Sequence, residues 1–289
     1  MAGRGGKQAL QHLHRLRVSS SVGDGAVRAS HARYSVSTAT GVPLAETTEA
    51  ETVESTSAGR KKLLVLGGSG YVGTHVCKEA LSKGISVASL SRSGRPGVAE
   101  PWSQDVEWIK GDLFHPSNWR NELSDVSAVI SCVGGFGSNQ QMQKINGVAN
   151  VQAIRAAADA GVERFVFVSA HDFGLPSFVM RGYYAGKRTA EDELLQKFPY
   201  SGVILRPGFI HGIRQVGTYK LPLNIIGSPL ELVFKNLKAA SQVPVVGKLL
   251  VPPVKVVTVA KVAVKSAMDN SVPPGVMDVW GIMRLGGDL

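Results

Sequence analysis

Four apolar residues, Leu63-Leu64-Val65-Leu66, run directly into Gly67-Gly68-Ser69-Gly70-Tyr71-Val72-Gly73. A continuous apolar run is what a strand buried on both faces requires. A helix pattern follows from Thr74 to Leu81 and closes at Gly84. Glycine spacing alone is a weak signal, but strand, glycine loop and helix in this order constrain the fold more than any other feature. Gly67 permits a tight turn. Gly70 lets a pyrophosphate approach backbone N–H groups at the helix N-terminus, and Gly73 allows the helix to pack closely on the strand. Ser69, Tyr71 and Val72 complete the loop. The segment is expected to bind a nicotinamide dinucleotide.

Further strand patterns follow in order. Ser86–Leu90 ends in Ser91-Arg92, with Arg95 close by. NAD sites usually place an acid here to hold the ribose 2′-hydroxyl. A serine followed by an arginine suits a 2′-phosphate, which a guanidinium binds through charge-assisted hydrogen bonds. NADP(H) is therefore expected over NAD(H). Val106–Lys110 ends in Gly111-Asp112-Leu113, and Ala128–Cys132 runs into Val133-Gly134-Gly135. A long helix is expected over Asn146–Ala160, a fifth strand over Arg164–Val168 and a sixth from Val203. Val254–Ala267 reads as a strand-to-helix transition with Thr258 as N-cap, and Val276–Trp280 as a last strand. The expectation is a doubly wound parallel α/β sheet over residues 60–289, with a small C-terminal substrate lobe over roughly 208–289. Cys77 and Cys132 match no metal or redox spacing, and the seven histidines form no ligand pattern, so no metal is expected.

GGSGYVG, VFVSA, YxxxKxxxE and LRPGFIHG together resemble the extended and atypical members of the short-chain dehydrogenase/reductase superfamily over about residues 61–289. The resemblance implies a Rossmann-type fold. It implies that Asp112, with Leu113, contacts adenine, that Val133 and Gly134 lie under the cofactor, and that Pro207-Gly208 borders the nicotinamide. Tyr183 and Lys187 supply the YxxxK motif and share a helix face. Lys187 is expected to bind the nicotinamide ribose and to lower the pKa of Tyr183. Tyr183 would then exchange a proton during hydride transfer. The usual third member is a serine after the fifth strand. Here the segment reads Val168-Ser169-Ala170-His171-Asp172. Ser169 aligns with the strand-end residue near the nicotinamide, and His171 occupies the place of the catalytic hydroxyl. His171 is a candidate hydrogen-bond donor or proton carrier.

Residues 1–45 carry six basic residues (Arg4, Lys7, Arg15, Arg17, Arg28, Arg33) against Asp24 alone. Leu10, Leu13 and Leu16 recur between them. The composition is that of a mitochondrial transit segment, with a plastid address the weaker option; cleavage is expected after Tyr34. Residues 46–59 read as a polar, disordered linker. No apolar run is long enough to span a bilayer. The C-terminal 200–289 carries ten bases against four acids. Lysines beside Leu221–Leu237 and the Pro- and Val-rich 243–259 suggest peripheral contact with an inner-membrane face. Nothing resembles a nucleic-acid module, so nucleic-acid partners are not expected. The pattern is most similar to the mitochondrial group that holds the nucleotide-binding accessory subunit of respiratory complex I and the reductase-like proteins of coenzyme Q biosynthesis, and closer to the latter. That resemblance implies either a reductase of a hydrophobic carbonyl or quinone intermediate, or a nucleotide-binding scaffold within a mitochondrial complex.

Overall fold

Alternation of buried side chains along β1 (Lys62–Leu66) sets the layering. Leu63 and Val65 enter one apolar cluster, and Leu64 and Leu66 enter the other. Period-two alternation with both faces buried demands helices above and below. The computed structural model describes residues 62–96, 100–174, 180–216, 219–222 and 251–289, with backbone alone for 213–216 and 219–222. The expected transit segment, the expected linker and residues 223–250, with most of the expected membrane-facing run, lie outside the described residues.

The main sheet adds β2 (Ser86–Ser91), β3 (Val106–Lys110), β4 (Val126–Ser131), β5 (Arg164–Val168) and β6 (Gly202–Leu205). Short β7 (Ile210–His211) and β10 (Val254–Lys255) pair in parallel, and β8 (Ile213–Val216) and β9 (Tyr219–Pro222) pair antiparallel. Strand β11 (Gly275–Met277) completes the sheet in the order β11-β6-β5-β4-β1-β2-β3, every pairing parallel. The order reverses between β1 and β4. That switch point opens a crevice beyond their C-terminal ends, where a doubly wound sheet binds its ligand.

Helix α1 (Tyr71–Ser82) packs on one face through Val76, Cys77 and Ala80. Beside it lie α5 (Val256–Met268) and α6 (Val279–Gly286). The other face carries α3 (Ala149–Asp159) and α4 (Arg181–Lys197), through Ala153, Ile154, Ala190 and Leu194. The helix expected from Asn146 begins earlier. Ser138 and Gln141 form a reciprocal capping box that starts α2 (Asn139–Gln143), and a π-helical turn over Lys144–Val148 joins it to α3.

Three C-terminal expectations need correction. Thr258 is not an N-cap, because α5 starts from Lys255; the Thr258 hydroxyl instead bonds the Asp288 carboxylate. The last strand stops at Met277. Asp278 accepts a hydrogen bond from Gly281 N at 2.8 Å, and that cap turns the chain into α6. Residues 254–289 of the segment expected as a substrate lobe build β10, β11, α5 and α6, so they belong to the layered body itself. Among the described residues, no helix is long and apolar enough to cross a membrane.

Candidate dinucleotide cleft and its catalytic edge

The glycine loop turns because Gly67 adopts φ +79°, a left-handed conformation that side chains disfavour. Gly67 N donates to Leu90 O at 2.8 Å and Gly70 N to Gly67 O at 2.9 Å, so the loop is stitched to β2 and to itself. Helix α1 then starts at Gly70 with no capping side chain and no acid in its first turn. The first N–H groups of a helix lack intrahelical partners, and here they follow directly on Gly70, which lines the cleft. A Cβ on Gly73 would stand 2.2 Å from Gly67 O, so only glycine lets the helix approach this closely.

The cleft above this loop has a volume of about 560 Å³, inside the ~300–1,000 Å³ range of small-molecule sites. Gly67, Ser69 and Gly70 line it beside the start of α1. Ser91, Arg92, Asp112 and Leu113 line the far end, and Val133 and Gly134 line the floor. The structure thus brings together nine of the sequence-predicted cofactor residues. Tyr71, Val72 and Gly73 contribute the backbone of the first helical turn. The Tyr71 ring stands edge-on to His75 at 5.7 Å. Pro207 and Gly208 lie apart from the cleft lining: the Pro207 carbonyl accepts from His171 N at 2.8 Å, and Gly208 packs against Val251 and Pro252. Arg95 is tied to Ser103 Oγ at 3.4 Å, which leaves Arg92 as the arginine that lines the cleft. Asp112 is held in place: Phe114 N donates to its Oδ1 at 3.1 Å, and Trp119 Nε1 donates to its carbonyl at 3.0 Å. Cys132 also lines the cleft, and burial pushes its thiol up to about 12, so it serves as a small apolar group.

Lys187 sits beneath the floor. Its Nζ donates to Val133 O at 3.2 Å and to Val168 O at 2.8 Å, bridging the ends of β4 and β5. It is buried, it ion-pairs with no carboxylate among the described residues, and burial pulls its pKa down to about 8. Helix α4 delivers it by crossing the π-helical turn at a glycine contact, where a Cβ on Gly186 would stand 2.8 Å from Gly147 N. Tyr183, one turn before, stacks on Phe136 at 5.2 Å and 12°. The expected lowering of its pKa does not occur. Burial pushes the phenol up to about 12, and Lys187 Nζ stands 6.0 Å from the ring centroid. Ser169 faces a different partner. Its hydroxyl bonds the buried Glu191 carboxylate, which Arg188 and Arg206 also hold. His171 lies in the segment after β5, with Phe173 edge-on to its ring at 5.0 Å.

Over residues 67–221 the sequence matches the NAD(P)H-binding family. The chain belongs to that family. An uncharacterised chloroplastic protein of Arabidopsis thaliana is 44% identical over 230 residues, which is 78% of this chain and 75% of that one. MIOREX complex component 2 of Saccharomyces cerevisiae is 26% identical over 281 residues, covering 77% of this chain and 99% of the yeast protein. The mitochondrial protein fmp52 of Aspergillus niger is 31% identical over 163 residues, 52% of this chain and 67% of its own. The Bordetella bronchiseptica enzyme WbmH, solved with NAD+, superposes with a TM-score of 0.53 at 18% identity over 75% of this chain and 74% of that chain. That likeness shows the fold alone, a Rossmann-type α/β sheet.

Sequence reasoning missed two residues that build the floor of this cleft. Asn146 accepts from Gly135 N at 3.2 Å and donates to Gly135 O at 2.8 Å. Asn150 accepts from Ser131 Oγ at 2.6 Å and donates to Val133 O at 3.3 Å. Both are fully buried. Their spacing of four residues on a helix was the available signal, since it places both amides on one face toward β4. The π-helical turn supplies the offset that aims Asn146 at Gly135, and such turns often sit at functional sites. Among the described residues, no group of His, Cys, Asp or Glu side chains is placed to hold a metal ion.

Proposed function

We propose that this chain is a mitochondrial, NADP(H)-dependent reductase of a hydrophobic carbonyl or quinone-type substrate. Lys187 carries the reading. A lysine buried without a carboxylate lowers stability, and such a group beside a cleft marks a functional site. Its ammonium lies directly under Gly134, within reach of a ribose laid along the floor. The preference for NADP(H) rests on Arg92 at the cleft end and on Ser91 where an acid would select NAD(H). The glycine cradle, the bare α1 N-terminus and the cleft volume all fit the dinucleotide.

When bound, the nicotinamide supplies a hydride to the carbonyl carbon. Tyr183 gives its hydroxyl proton to the carbonyl oxygen and recovers one from solvent. With its pKa pushed up to about 12, the phenol stays protonated at neutral pH, which suits an acid acting in the direction of reduction. Lys187 positions the ribose. The resemblance to the coenzyme Q-associated group makes ring intermediates of quinone synthesis the first substrates to assay.

One observation favours a second reading. His171 stands at the place of the usual catalytic hydroxyl, and the Ser169 hydroxyl two residues before it is committed to Glu191. A nucleotide-binding scaffold would tolerate that, and a related yeast protein is named as a component of a complex. Tyr183→Phe separates the two. In a reductase, folding and NADPH binding survive while turnover drops roughly 10²–10⁴-fold. Unchanged respiratory growth and quinone content in a deletion strain carrying Tyr183→Phe would reject catalysis. For location, residues 1–34 fused to a reporter are expected to reach mitochondria. A plastid signal, which the chloroplastic relative makes the rival outcome, would overturn that address.

A further inference from the structure

Phe136 is 74% exposed, yet it does not sit on a loose loop. Asn146 pins Gly135 through both backbone groups, at 3.2 and 2.8 Å. On the other side, Ser138 N donates to Gln141 Oε1 at 3.0 Å, and Gln141 N donates back to Ser138 Oγ at 3.3 Å. Only Phe136 and Gly137 lie between these anchors, so the backbone that carries the phenyl ring is held at both ends. A single exposed phenylalanine is ordinary on a protein surface. This one is distinguished by what its inner face covers. It stacks on Tyr183 at 5.2 Å with the planes 12° apart. Tyr183 in turn meets Tyr184 edge-on at 5.4 Å, and Tyr184 hydrogen-bonds the backbone of Phe173, whose ring meets His171 at 5.0 Å. Aromatic side chains thus join the loop after β4 to the segment after β5, across the start of α4.

The arrangement sets a condition on any substrate. Phe136 covers one face of the Tyr183 ring, so a carbonyl that approaches the Tyr183 hydroxyl over that face meets the phenyl ring first, and rotation about the side-chain bonds of Phe136 would let it pass. Leaving Tyr183 breaks an aromatic stack. A flat, unsaturated ring restores an equivalent stack, whereas a puckered aliphatic one does not, because its hydrogens hold the two faces apart. We propose that Phe136 selects the substrate: it turns off Tyr183 and stacks on a flat, unsaturated ring whose carbonyl then meets the Tyr183 hydroxyl. This rests on Tyr183 as the proton donor of the proposed reductase.

The test is calorimetric titration of the full chain, with and without NADPH, using acetylnaphthalene and its fully saturated counterpart acetyldecalin. Wild type is expected to bind the flat ketone about three- to tenfold more tightly, the size of one aromatic stack. Phe136→Leu keeps an apolar side chain of similar bulk and should erase that preference while leaving NADPH affinity unchanged. Phe136→Trp enlarges the ring and should restore or increase it. Equal binding of the two ketones by wild type, no binding of either, or a preference that persists in Phe136→Leu would overturn the proposal. The parent reading fails separately. If Tyr183→Phe turns over at the wild-type rate while Phe136 still governs ketone binding, ring recognition stands and the role of Tyr183 falls.

Discussion

The two halves of the cleft are built from different materials. The half beside β1 and β2 is made largely of backbone: a left-handed Gly67, a helix start without a cap, and a Gly73 on which no side chain fits. The half beside β4, β5 and α4 is made of side chains that hold one another. Asn146 and Asn150 grip the loop after β4, Lys187 bridges two strand ends, and Glu191 gathers Ser169, Arg188 and Arg206. Backbone recognition depends on where side chains are absent, which local spacing announces. Side-chain recognition depends on which residues from distant elements meet. The first half is therefore recognisable as a motif, and the second has to be seen assembled.

The harshest test of the backbone half is Gly73→Val. Its Cβ would lie 2.2 Å from Gly67 O and 2.7 Å from Gly68 Cα, both backbone atoms that cannot turn away. Titration should show no measurable binding of NADPH or NADH, together with a lower melting temperature. Wild-type affinity in this variant would mean that the loop, not its close contact with α1, makes the site.

Within the same half, Arg92 is the side chain on which cofactor choice is expected to turn. Removing a charge-assisted hydrogen bond costs roughly 1.5–3 kcal/mol. Arg92→Ala should therefore weaken NADPH about ten- to hundredfold and leave NADH unchanged. Equal losses for both dinucleotides would show that Arg92 shapes the loop and does not read the 2′-phosphate.

Lys187→Met probes the side-chain half and should give the smallest change, in the opposite direction. Lys187 loses its proton near pH 8 in the folded chain, against 10.5 when unfolded. The unfolded chain holds the proton more tightly between those values, so wild-type stability should rise as pH climbs through that window. Below pH 8 the whole penalty is present. A neutral methionine of similar length removes it, for a net gain of about 1–3 kcal/mol at neutral pH once the lost carbonyl contacts are counted. The same variant should lose turnover. Denaturant midpoints of both proteins across this pH range would check the sign, and a less stable Lys187→Met would show that the ammonium is structural.

Some of this is legible in the sequence. The apolar runs at Leu63–Leu66 and Arg164–Val168 read as buried parallel strands because continuous hydrophobic segments with helices between them have few other ways to hide. Gly67, Gly70 and Gly73 read as a phosphate cradle because glycine spacing is itself a statement about backbone. Local signals compete at Asp278, which reads as one more residue of a strand although its carboxylate caps the helix that follows.

Tertiary structure alone decided the rest. YxxxK placed Tyr183 and Lys187 on one helical face, but whether lysine lowers the phenol pKa depends on the dielectric and distance around both. Those depend on Phe136, Val133 and Val168, none of them near in sequence. Ser169 could be matched to a strand end, while its engagement by Glu191 required α4 to lie across β5. The sequence by itself determined the parallel sheet, the glycine cradle and the identity of the charges offered to a cofactor, because these follow from local periodicity and the absence of side chains. The pKa values, the partner of each polar group and the cover over Tyr183 follow from burial and contact between distant segments, and those exist only once the chain has folded.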